Sequence, residues 1–170
     1  MLTENAVTSA AAEIAARTGG RYDFAPLFAP ITAMVSSVDI AICHMELPIG
    51  QPGDRAGVYG SSTFGGNLLL APYEIAAAMK QVGFDRCSTA SNHSNDLGVP
   101  AIDETLGALD AAGLSHVGTA RPAAEAATTL FSVNGVRMVH LSYTRYSNTP
   151  LPAEPWRVNL QRLPSKLPPM

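Results

Sequence analysis

Basic clusters are missing from this 170-residue chain: it holds 11 Lys and Arg against 14 Asp and Glu, for a formal net charge of -3. Phosphate-backbone binding needs a concentrated basic face, so a nucleic-acid partner is excluded. Long apolar runs are absent too. No stretch is long enough to cross a bilayer, and residues 1–20 lack the basic start and continuous apolar block of a signal peptide. The chain as written therefore reads as soluble, with no membrane span and no export address. Cysteine is scarce. Cys43 and Cys87 have no zinc-type pairing, and each sits in a short apolar run, where the expectation is a buried thiol rather than a disulfide. Charge is sparse at 15%, but hydrophobic residues reach 46%, which excludes general disorder and fits one domain or a piece of a larger one.

What is present alternates. Residues 5–18 form an Ala-rich helix stopped by Gly19-Gly20, and residues 25–37 form a second helix, which Pro30 shortens or kinks. Residues 39–45 make a short strand apolar on both faces. Residues 50–66, rich in Gly, Pro and Ser, read as a long loop. A helix over 72–81, a strand over 84–90, a polar turn over 91–98, a helix over 100–112 and a short strand near 115–118 follow. Asn134-Gly135 between two apolar runs signals a hairpin. From residue 150 the chain turns Pro-rich and irregular. Strand–helix alternation implies an α/β class with a mostly parallel sheet and helices on its faces.

Sites in such sheets gather where strands end and the next loops begin. Two of these ends are polar: His44-Met45-Glu46, and Asn92-His93-Ser94-Asn95-Asp96. If the two strands are neighbours, Glu46 and Asn92-His93 converge on one sheet edge. Carboxylate, amide oxygen and imidazole suit Mn²⁺, Fe²⁺ or Zn²⁺, which would polarise a phosphoryl or carbonyl oxygen. The same turn can instead cap the following helix, as Asn, Ser and Asp do routinely. Residue chemistry leaves both readings open. His140 reads as a packed strand histidine, His116 as a surface or capping residue, and Ser61-Ser62-Thr63 as makers of turn hydrogen bonds.

The run Ala90-Ser91-Asn92-His93-Ser94-Asn95-Asp96-Leu97-Gly98 resembles the Ala-Asn-Asn-His-x-x-Asp-x-Gly signature of the bacterial capsule and poly-gamma-glutamate biosynthesis (CapA-type) family. Glu104-Thr105-Leu106, Ala112-Gly113-Leu114 and Val117-Gly118 follow it in the family's order. Cys43-His44-Met45-Glu46-Leu47-Pro48 resembles the family's Asn-Leu-Glu-x-Pro segment, and Asn134-Gly135-Val136 leads into Leu141-Ser142-Tyr143-Thr144 as it does there. The resemblance covers most of residues 21–159. It implies a partial metallophosphoesterase-like (calcineurin-like) sheet layered with helices, divided into an N-terminal helix (1–20), the first half of the family domain (21–149) and a Pro-rich tail (150–170).

It also implies roles. Glu46 would be a metal-bridging carboxylate and Asn92 a ligand through its amide oxygen. His93 would stabilise or protonate a leaving oxygen, with Asp96 and His44 behind them in supporting positions. His44 stands where the family usually has Asn, and Ser91 replaces the first of its paired Asn. The family's opening Gly-Asp strand and its two later histidine-bearing segments have no counterpart here. The resemblance thus implies a truncated member with an incomplete divalent-metal site (Mn, Fe or Zn) and weak hydrolysis. The substrate would be a small molecule or polymer, with envelope biosynthesis partners and an envelope or extracellular setting. A metal-dependent phosphoesterase and an inactive fragment are the alternative readings.

Overall fold

The computed structural model describes residues 5–128 and 130–161. Residues 1–4, 129 and 162–170, and with them the ends of the expected first helix and tail, lie outside the described residues. The N-terminal helix α1 spans Asn5–Ala16 and buries Ala11 and Ala15. Gly20 N–H then closes onto Ala15 O at 3.0 Å, with Gly19 left-handed at φ 77°. Helix α2, Ala25–Val35, carries Pro26 in its first turn, where the missing N–H costs nothing, and keeps Pro30 inside the helix.

The centre is a three-stranded parallel sheet, β1 (Ile42–His44), β4 (Arg86–Ser88) and β5 (Ser115–Val117), in the order β1-β4-β5. These strands are shorter than the apolar runs that encode them, yet the ladder extends past their ends through Met45 N–H to Ser88 O (2.8 Å) and Thr89 N–H to Val117 O (2.8 Å). Helix α3, Glu74–Val82, buries Ile75, Ala76, Ala78, Met79 and Val82, an i, i+3, i+4, i+7 stripe. Helix α4, Gly98–Ala111, buries Ala101, Ile102, Thr105, Leu106, Ala108 and Leu109. Ile75, Ala76, Ala78 and Met79 of α3 and Ala108 and Leu109 of α4 join a core with Cys43, Met45, Leu47, Ile49, Cys87 and Leu114, while Ile102 and Leu106 pack with Val158. Burying a side chain such as Ile75 or Leu109 contributes about 1.5–3 kcal/mol. Within this core Thr105 Oγ1 donates to Ala101 O and accepts Ile49 N–H at 2.8 Å, so the one polar group on the α4 stripe is satisfied.

Two expectations need correction. The segment read as a loop over 50–66 contains half of an antiparallel hairpin, β2 (Gly57–Ser61) and β3 (Asn67–Leu70), with a register shift between Val58 and Gly60. Glycines at φ 137° (Gly57) and 135° (Gly60) and a mostly exposed strand hide the alternation that would announce it. Second, Cys43 and Cys87 are joined in a disulfide and no free cysteine remains. The parallel register sets them opposite each other on one sheet face with Cα atoms 4.4 Å apart, a relation that their separation of 44 residues conceals. Of the two readings left open for the 91–98 turn, capping of α4 is the one the structure does not bear out. The N-cap is Leu97, and no side chain bonds the free N–H groups of that helix.

The second hairpin, β6 (Leu130–Val133) and β7 (Val136–Val139), forms around Asn134-Gly135, both with positive φ. It docks on the sheet face opposite the disulfide. Arg86 stacks its guanidinium 4.0 Å over the Phe131 ring and donates from Nε to His140 Nδ1 (3.1 Å), while His140 Nε2 lies 2.9 Å from Ser88 Oγ. Arg86 can only donate, so Nδ1 is the acceptor and Nε2–H donates to Ser88. His140 is therefore neutral, and its proton faces Ser88, the wrong arrangement for a base activating a nucleophile. Burial, and then the charge of Arg86, hold His140 below its ordinary value of 6.5.

The unfolded chain takes up this proton near pH 6.5 and the folded chain only at lower pH. Stability is thus complete above 6.5 and declines as pH falls toward the folded value. We expect melting temperature to drop over that window with a contribution no steeper than about 1.4 kcal/mol per pH unit. H140Q, which can still accept from Arg86 and donate to Ser88, should flatten the slope. An unchanged slope in H140Q would show that other groups carry it.

Candidate functional site

The loops leaving β1 and β4 come together at one end of the sheet because these strands pair directly. The β4 exit is a compact polar turn. Ser94 Oγ donates to Thr89 O (2.6 Å), and Ser91 N–H donates to Ser94 Oγ (2.6 Å), folding residues 89–94 on themselves. Gly118 makes room for this turn. At φ 123°, a Cβ there would lie 2.4 Å from Ala90 N and 2.7 Å from Ser142 Oγ.

Asp96 is the centre of the arrangement. Its side chain is 0% exposed, and Oδ2 accepts Leu69 N–H at 2.8 Å and bonds His93 Nδ1 at 2.7 Å. An ionised carboxylate only accepts, so His93 carries its proton on Nδ1 and keeps Nε2 for exchange. No group among the described residues bonds Nε2. The structure thus brings His93, Asp96 and Asn92 into one network.

A fourth member was not visible in the sequence reading. Asn148 N–H donates to Asn92 O (2.9 Å), its Oδ1 accepts from Asn92 Nδ2 (3.1 Å), and its Nδ2 reaches Asp96 Oδ1 (3.4 Å). The same Nδ2 lies 3.0 Å from His93 Nδ1, but that nitrogen's proton is committed to Asp96. Thr149 and Pro150 continue the contact: Asn95 Nδ2 donates to Thr149 Oγ1 (3.0 Å) and to Pro150 O (2.8 Å). Ser62, from the turn of the β2–β3 hairpin, donates to Asn148 O as well as closing that turn. Nothing in the local run Ser147-Asn148-Thr149-Pro150 marks it as a site, because its partners lie some 55 residues away.

Glu46 is half-buried directly after Met45, whose N–H is tied to Ser88 O, but no hydrogen bond links Glu46 to the 92–96 turn among the described residues. His44 is exposed on the opposite sheet face from Cys43, beside Ser88 in the register, and stands outside the network. His116 bonds Asp110 at 3.0 Å, far along the chain from these groups. No group of three or more His, Cys, Asp or Glu side chains that could hold a metal occurs among the described residues. Glu46 and the amide oxygen of Asn92 supply two hard oxygen donors, short of the three protein ligands that a catalytic site generally has.

No helix among the described residues is long and apolar enough to cross a membrane. The chain is similar to two proteins of Sinorhizobium fredii (strain NBRC 101917 / NGR234), the uncharacterized proteins y4sH and y4uA. Each is 32% identical over 112 residues, which is 65% of this chain and 24% of the relative. The chain spans about a quarter of the length of these relatives. The profile of the bacterial capsule synthesis protein PGA_cap matches residues 1–166. Parallel sheet, flanking helices and the Asn-His-x-x-Asp turn at the strand ends accord with that match, and the chain belongs to the PGA_cap family of bacterial capsule synthesis proteins, of the metallophosphoesterase-like type.

Proposed function

We propose that this chain contributes the proton-handling part of a hydrolytic site in the synthesis of a capsule or poly-gamma-glutamate type exopolymer. The observation that carries the reading is the buried Asp96 held against His93 Nδ1 at 2.7 Å, at the end of the sheet where the two polar loops gather. Asp96 fixes the tautomer and the ring orientation, and its negative charge sits where a protonated ring needs it. His93 Nε2 is then placed to take a proton from the attacking water and to pass it to a leaving phosphoester or acyl oxygen.

Glu46 and Asn92 would lend two oxygen ligands to a divalent ion (Mn²⁺, Fe²⁺ or Zn²⁺). The remaining ligands would come from outside the residues described here, and an envelope biosynthesis partner or a longer chain could bring them. The donor shortfall supports weak turnover by this chain alone.

Thermal melting with and without Mn²⁺, together with a generic phosphate ester assay, tests the reading. Ion at a hundredfold excess over its dissociation constant stabilises the folded state by about 2.7 kcal/mol, or about 5–10 °C at this size. We expect that rise in the unmodified chain and its loss in Asn92→Ala. His93→Ala should keep the Mn²⁺ response and lose whatever hydrolysis is present. A melt indifferent to Mn²⁺, or hydrolysis unaffected by His93→Ala, would overturn the proposal.

A further inference from the structure

The polar groups around Asp96 form a chain in which each member dictates the orientation of the next. Leu69 N–H and His93 Nδ1–H occupy Asp96 Oδ2, and Asp96 Oδ1 faces Asn148 Nδ2 at 3.4 Å. Asn148 turns its NH₂ toward Asp96 Oδ1, which can only accept, and its oxygen toward Asn92; the same NH₂ also lies 3.0 Å from His93 Nδ1, whose hydrogen is directed to Asp96. The Asn148 oxygen can only accept, so Asn92 must turn its own NH₂ toward Asn148 (3.1 Å). The Asn92 amide oxygen is then left on the far side, where Ser91 Oγ approaches at 3.4 Å. Asn148 itself is 9% exposed and is pinned through its backbone at both groups: its N–H donates to Asn92 O, and its carbonyl accepts from Ser62 Oγ.

We propose that Asn148 is a positioning residue that decides which end of the Asn92 amide is presented to the site. It transmits the acceptor character of Asp96 across two amides. One buried carboxylate thereby sets both the tautomer of His93 and the orientation of Asn92. The function of this relay rests on the reading of Asn92 as an oxygen donor, although the relay itself is a property of the fold. Without Asn148, the Asn92 amide rotates freely and presents nitrogen as often as oxygen.

Side-chain amide NMR of the ¹⁵N-labelled full chain tests this, with Mn²⁺ titration as a second readout. In the unmodified chain the Asn92 NH₂ pair should be well separated from solvent-averaged amides. In N148A it should move to the averaged position, and apparent Mn²⁺ affinity should fall about tenfold or more, as for loss of a ligand-orienting partner. N148L keeps the shape without the polar groups and guards against simple misfolding. A purely packing role would leave the Asn92 signals of N148L at the unmodified positions, whereas loss of the relay should move them to the averaged position as in N148A.

Asn92 signals unchanged in N148A or in N148L would overturn the proposal. Anchored Asn92 signals that respond as described, with no Mn²⁺ binding at all, would uphold the relay and sink the metal reading instead. Mn²⁺ binding that needs Asn92 but ignores Asn148 would do the reverse.

Discussion

Asp96→Ala should destabilise the chain by about 3–5 kcal/mol, among the largest effects of any single substitution here. Removing the carboxylate leaves Leu69 N–H and His93 Nδ1–H without their acceptor inside the protein, and each orphaned buried group costs about 1–3 kcal/mol. The amide of Asn148 loses its partner as well, so the strap over 148–150 loosens from the turn it covers. Asp96→Asn keeps the volume and an oxygen able to accept both donors, but it sets an NH₂ in place of Oδ1 against the NH₂ of Asn148, and it should fall between the variant above and the unmodified chain. Urea denaturation measures both. The midpoint should shift at constant slope, because the surface exposed on unfolding is unchanged. A loss below about 1 kcal/mol for the alanine variant would mean that the carboxylate is not the hub described here.

Reducing the Cys43–Cys87 bond should have an effect of similar size. Closing a loop of 44 residues removes about 4 kcal/mol of chain entropy from the unfolded state in the loop-closure treatment. Denaturation with and without dithiothreitol should therefore differ by a comparable amount, and Cys43→Ser with Cys87→Ser should behave like the reduced chain. Thiol counting on the unfolded, unreduced protein gives the direct check. No reactive thiol is expected, and two would show that the pair is not bonded. Both sulfurs are buried, at 5% and 0% residue exposure, so reductant should act only through unfolding or local opening.

Much of this fold was legible because its elements carry strong local signals. The Ala-rich helix stopped by Gly19-Gly20, the apolar stripe of α3 ending at Gly83 and the Asn134-Gly135 hairpin all state their geometry within a few residues. The 91–98 turn was legible as a polar cluster at a strand end, and its match to a family signature pointed to His93 and Asp96 together. What the sequence hid is long-range. The β2–β3 hairpin has glycines where an alternating strand would show apolar residues. The pairing of Cys43 with Cys87 depends on strand register, which the local sequence does not encode. Asn148 and Ser62 reach the site only after the chain has folded over it. The choice between capping and another role for the turn was likewise settled by where Asn92, Ser94 and Asp96 direct their side chains, and none of them reaches the end of α4.

The β2–β3 hairpin has one more consequence. The chain leaves the sheet at Pro48–Gly50 and returns at Ala71, and these two points are tied together by Gly50 N–H to Ala71 O (3.0 Å) and Ala71 N–H to Pro48 O (2.8 Å). The hairpin is thus a closed excursion. Its base is fixed, since Leu69 N–H is one of the two donors that hold Asp96 Oδ2. Its outer part carries Val58, Tyr59 and Phe64, all strongly exposed, beside the turn that reaches Asn148. Length and composition in that outer part can change without disturbing the strand order β1-β4-β5, so long as Ser62 still reaches Asn148.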